Sequence, residues 1–108
     1  MTKYFQPLSP DDLRGRLRLF CEKHSIRRVD VFGSYAYGTA TRDSDVDLLV
    51  TLDESEPISA TRVIEMAGEV EELLAAPVDF VLRSSLEKSP NRYACEHILA
   101  TAVRVYGN

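Results

Sequence analysis

The chain has 108 residues, of which 44% are hydrophobic and 28% charged, with a formal net charge of −4. That length predicts one compact domain over 1–108 with a single core. No run reaches the roughly 18 apolar residues of a membrane span, the first residues lack a signal peptide's apolar stretch, and the negative balance argues against wholesale binding of nucleic acid. A cytoplasmic protein is expected.

The charge is uneven. Arg14, Arg16, Arg18, Lys23, Arg27 and Arg28 crowd the first quarter, while Asp53 to Glu72 is mostly acidic. A solvated helix surface accounts for the basic group, and a docking face for an acidic partner is the alternative. Cys21 and Cys95 stand far apart with no CxxC, so they read as small core hydrophobes rather than zinc ligands.

In chain order, Ser9-Pro10-Asp11-Asp12 reads as a helix start: Ser at the cap, Pro at the first position, acids in the first turn. Leu13, Leu17, Phe20, Cys21 and His24 follow at helical spacing, with His24 as a capping or partly buried histidine. Val29 to Phe32 predicts a strand that ends in a tight turn at Gly33, and a short helix from Ser34 is compatible with the polar residues that follow. Val46 to Leu52 is apolar at nearly every position, as in a central strand. A loop around Pro57 leads to a helix from about Ser59 with Val63, Met66, Ala67, Val70, Leu73 and Leu74 on one stripe, stopped by Pro77. Val78 to Leu82 is a third strand. Ser89-Pro90 repeats the cap-plus-proline signal for a last helix to about Thr101, and Val103 to Tyr106 suits a short closing strand. The fold class is α/β (α+β), a small mixed β-sheet with flanking helices.

Asp45, Asp47 and Asp79 stand inside or at the mouth of apolar strands, where a carboxylate costs several kcal/mol unless it is paired. Asp45 and Asp47 are two apart, so on a strand they share a face, about 6.6 Å from one another. Asp79 could lie about 4.8 Å away on a neighbouring strand. Two Mg²⁺ ions about 3.5–4 Å apart would relieve the repulsion and match two-metal phosphoryl chemistry. The plainer account, that Asp45 caps its own turn Arg42-Asp43-Ser44-Asp45, explains Asp45 but neither Asp47 nor Asp79. Ahead of them, Gly33-Ser34-Tyr35-Ala36-Tyr37-Gly38 offers a sharp turn with amides and a hydroxyl for an anion. It is neither a Walker A loop nor a dinucleotide fingerprint.

Taken together, Gly33-Ser34, Gly38, Ser44-Asp45-Val46-Asp47-Leu48 and the downstream Asp79 resemble the DNA polymerase β-like nucleotidyltransferases. Size and layout are similar to their minimal (MNT) branch, found in prokaryotic antitoxins paired with helical HEPN toxins. The resemblance covers about Ser9 to Tyr106 and implies the polymerase β-like nucleotidyltransferase fold. It also implies that Asp45 and Asp47 ligate both Mg²⁺ ions. Asp79 would ligate one and help deprotonate the attacking hydroxyl. Gly33, Ser34 and Ser44 would hold the nucleotide, with ATP as donor, pyrophosphate as product and a tyrosine of the HEPN toxin as acceptor. The family commonly carries an arginine where this chain has Tyr37, which puts one phosphate contact in question. Arg92 and His97 have the Arg-x4-His spacing of HEPN ribonucleases, but five residues on a helix point them in different directions.

A chain this short is expected to meet its acceptor on a partner's surface. The competing function is a non-catalytic antitoxin that neutralises its partner by binding and occlusion. Retention of all three aspartates favours the enzyme, and Tyr37 favours occlusion. Self-association is left open.

Overall fold

A computed structural model of the chain describes residues 6–53 and 58–107, so the loop expected around Pro57 lies outside the described residues. The first helix, α1 (Pro10–Lys23), starts where the cap signal places it. Ser9 Oγ accepts from the Asp12 amide at 3.1 Å, and the Asp12 carboxylate accepts from the Ser9 amide at 3.0 Å. The bond from the Ser9 amide, helped by the nearby Ser9 hydroxyl, holds the Asp12 carboxyl below its ordinary pKa. His24 caps the other end. Its ring meets Glu69, which also takes Lys23, and this clasp ties α1 to the third helix.

Strand β1 (Ile26–Phe32) leads through Gly33 into a single turn, α2 (Ser34–Tyr37), and β2 (Val46–Leu52) follows. Helix α3 (Ala60–Leu74) begins at the Ser59 cap and ends at Ala75, which adopts a left-handed conformation two residues before Pro77. Strand β3 (Val78–Leu82) runs directly into a short helix, α4 (Arg83–Glu87). Helix α5 (Arg92–Thr101) and strand β4 (Val103–Gly107) complete the described chain. Among the described residues no helix is long and apolar enough to cross a membrane.

Two element starts differ from those expected, and one helix is additional. β1 starts at Ile26 rather than Val29, and within it Arg28 reaches forward along the strand to Asp30. Ser89-Pro90 does not open α5: the cap is Asn91, whose side chain accepts from the Ala94 amide at 3.1 Å, while Ser89 Oγ accepts from the Asn91 amide. Helix α4 fills the segment that the sequence reading leaves without an element.

The strands form one mixed sheet in the order β3-β2-β1-β4, with β2 and β3 parallel and the other neighbours antiparallel. β2 is therefore central, as its apolar run predicts. Side chains alternate across the sheet. Val29, Val31, Val46, Leu48 and Val50 join Leu13, Leu17, Cys21, Met66 and Val70 from α1 and α3 in the core. The register then places Asp30, Phe32, Asp47, Leu49, Thr51 and Asp79 on the opposite face.

Asp30 is the one buried charged residue among those described, 1% exposed. It meets the criterion applied to Asp47, an apolar neighbour on each side, yet it is neutralised within the chain. Arg28 grips it with two bonds of 2.8 and 2.9 Å, and Arg83 adds a third at 3.4 Å while its Nε donates to Thr51 Oγ1. Asp30→Ala would leave two guanidiniums without their shared anion. Because both arginines reach solvent, the loss should fall near the lower end for a broken buried pair, about 3 kcal/mol by urea denaturation. A loss under about 1 kcal/mol would mean that water replaces the carboxylate.

Candidate active site

Of the three aspartates named from sequence, Asp47 and Asp79 pair across the sheet's second face, and Asp45 lies near enough for its charge to act on Asp47. In β2, Val46 and Leu48 are buried in the core, so Asp47 between them must point the other way. β3 runs parallel beside it, and Asp79 is the register partner of Asp47, about 4.8 Å away across the ladder. The amide of Val46 donates to the Pro77 carbonyl at 2.8 Å, which fixes the two strand starts side by side. Asp45 stands one residue ahead of β2, two before Asp47.

Asp47 is pushed up to a pKa of about 6, mainly by burial and then by the negative charges of Asp79 and Asp45. Asp47 is half-buried, whereas Asp45 and Asp79 are exposed. Among the described residues, no three Asp, Glu, His or Cys side chains are already gathered as an ion's ligands. Rotation of the two exposed carboxylates would bring them towards Asp47 without breaking core packing. An all-carboxylate donor set suits a hard divalent cation such as Mg²⁺.

Gly33 forms the opposite wall. Phe32, just before it, is the register partner of Asp47, so the chain turns directly over that carboxylate. Gly33 has φ +69° and ψ −148°, and a Cβ placed on it would lie 2.2 Å from Asp47 Oδ2. Only glycine meets both requirements. Its carbonyl accepts from the amides of Ala36 and Tyr37, which starts α2, and Gly38 closes that turn in a left-handed conformation. Ser34 is the first residue of α2 and half-buried beside the site. Ser44 is engaged in shaping the approach to Asp45: its Oγ accepts from the Thr41 amide at 2.8 Å. The turn before β2 is thus closed by Ser44 rather than by Asp45.

One neighbour of the site escapes a sequence search. Tyr37, at the end of α2, has its hydroxyl 3.0 Å from Nε2 of His97 on α5. The Arg-x4-His spacing draws the eye to His97 for another reason, and α5 presents Arg92 and His97 in different directions. Its partner is sixty residues away, a separation that no local motif marks. A cavity of about 610 Å³ also opens at the far end of β2 and β3, lined by Thr51, Leu82, Arg83 and Lys88 among others. Its lining begins three residues along β2 from Asp47, roughly 10 Å away, and belongs to a different region from the carboxylates.

The sequence and the fold around this site are similar to those of known proteins. The nucleotidyltransferase domain family matches residues 13–103, and the chain belongs to that family, in its minimal branch. The protein adenylyltransferase MntA of Thermococcus cleftensis is 44% identical over 66 residues, covering 61% of this chain and 65% of its own. A solved candidate minimal nucleotidyltransferase has TM-score 0.67 at 32% identity and covers 88% of this chain and 94% of that one. The fold is also similar to a chain of the complex between tri-AMPylated Shewanella oneidensis HEPN toxin and MNT antitoxin, with TM-score 0.62 at 16% identity, covering 88% and 70%.

Proposed function

We propose that this chain is a protein adenylyltransferase that moves AMP from ATP onto a hydroxyl, a tyrosine of a HEPN-type toxin partner, and thereby acts as an antitoxin. The observation that carries the reading is the in-register pairing of Asp47 with Asp79, with Asp45 alongside, under the Gly33 turn. The name of the Thermococcus cleftensis relative and the AMPylated HEPN toxin of the Shewanella oneidensis neighbour support AMP as the group moved and a HEPN toxin as the partner.

In this reading Asp45 and Asp47 would hold two Mg²⁺ ions and Asp79 would hold one of them. The ions would neutralise the triphosphate and favour ionisation of the acceptor hydroxyl. Asp79 accepts the proton of that hydroxyl. The backbone amides at Gly33 and Ser34, with the Ser44 hydroxyl, hold the phosphates in line. The acceptor oxygen bonds to the α-phosphorus as the bond to the β-phosphate oxygen breaks, and pyrophosphate leaves. The partner's surface positions the acceptor, and that positioning contributes much of the rate.

The test is to co-express the chain with the product of its neighbouring gene and weigh the partner intact. An added AMP that disappears with Asp45→Ala or Asp79→Ala is expected, with the complex preserved. If those variants still silence the partner at normal stoichiometry, occlusion rather than chemistry is the function.

A further inference from the structure

Helix α5 connects β3 at one edge of the sheet to β4 at the other, and none of its residues is fully buried. Its link to the catalytic turn is the pair His97 Nε2 and Tyr37 Oη, 3.0 Å apart. The roll of α2 is set by Tyr35, 6% exposed and packed into the core. With Tyr35 inward, Ser34 and Tyr37 fall on the outer side of the turn, within about 60° of each other. Tyr37 is 53% exposed, and its amide donates to the carbonyl of Gly33, the residue that abuts Asp47.

A phenol in that position can donate one hydrogen bond and accept others, and its neighbour decides which. If Nε2 of His97 carries the ring proton, it donates to Tyr37 Oη. The phenol's own proton then turns away from α5 and becomes available to an acceptor in front of Ser34. Phosphate oxygens are the strongest acceptors the proposed reaction brings there, and a bond to an anion is worth more than a neutral one.

We propose that Tyr37 is a contact for the terminal phosphates of the nucleoside triphosphate and that His97 is the positioning residue that aims its hydroxyl. This rests on the reading of Gly33 and Ser34 as the phosphate-holding turn. Tyr37 and His97 then discriminate triphosphate from monophosphate, since AMP lacks the groups they would reach.

Calorimetry with Mg²⁺ and α,β-methylene-ATP, whose scissile link resists transfer, tests it beside AMP. The variants are Tyr37→Phe, His97→Ala and the double variant, and both side chains lie at the surface, so melting curves should match the wild type. Tyr37→Phe should weaken the triphosphate analogue roughly tenfold, and His97→Ala several-fold. The double variant should be no weaker than Tyr37→Phe alone, because His97 acts through the hydroxyl. AMP affinity should be the same in all four proteins. Wild-type binding with unaffected variants overturns this inference alone. Losses that multiply in the double variant overturn the positioning role of His97. A wild type that fails to bind the triphosphate analogue at all overturns the phosphate-turn reading, and this inference with it.

Discussion

Asp47→Asn should lower nucleotide transfer roughly 10³-fold, the several kcal/mol that metal-held charge stabilisation supplies, while the fold remains intact. The same substitution should stabilise the metal-free protein. Asp47 titrates near 6 in the folded state, above its ordinary 3.8, because burial and the charges of Asp79 and Asp45 disfavour ionisation. A carboxyl whose folded pKa is raised costs nothing below about 3.8, where both states are protonated. Its cost grows as pH rises and is fully present above about 6. The stability gap between Asn and Asp should therefore open over that window and reach about 1–2 kcal/mol at neutral pH, less than the whole shift converts to, since solvent screens a half-buried group. Urea denaturation of both proteins at pH 4 and pH 7.5, without divalent ions, measures it. An Asn variant that unfolds would make Asp47 a structural hydrogen-bonding residue.

Gly33→Ala should damage nucleotide transfer strongly, although it adjoins no carboxylate in sequence. Two costs add. The backbone at φ +69° and ψ −148° lies where an alanine is strained by about 1–3 kcal/mol. The new methyl would also sit 2.2 Å from Asp47 Oδ2, so the carboxylate must move or the turn must open. A displacement of about 1 Å in a site that works by alignment costs roughly 10²-fold in rate. Gly38→Ala is the control. It shares a positive φ, +75°, but a Cβ there meets nothing within 4 Å. Thermal melts should show both variants destabilised. Transfer assays should show the larger loss at Gly33, and equal losses at the two positions would mean that the approach to Asp47 has no bearing on chemistry.

The elements that carry strong local signals were legible in the sequence. Ser9 with Asp12 is a self-contained cap, and β2 and β3 occupy the predicted residues because apolar runs bounded by turns leave few alternatives. The same parity that makes β2 a strand turns Asp47 away from the core, and the register with β3 brings Asp79 beside it, so those two carboxylates could be named from spacing. What stayed hidden depends on distant partners. Asp30 reads like Asp47 until Arg28 and Arg83 fold over it. The cap of α5 is a competition between Ser89 and Asn91, decided by how α4 delivers the chain. The tie between Tyr37 and His97 exists only because α5 crosses the sheet on its way to β4.

The pairing of β2 with β3 also makes the candidate site a test of folding fidelity. The two strands are separated by the whole of α3, so their registry is settled by long-range closure and not by a hairpin turn. A slip of one residue would send Asp79 to the core side and bring Val78 or Phe80 up to meet Asp47. Such a chain could keep most of its secondary structure and bury a similar area, yet it would hold no triad of carboxylates. Misfolding of that kind would leave no weakened enzyme behind: a population of refolded molecules would divide into competent and inert, with the competent fraction counting the chains whose sheet closed in register.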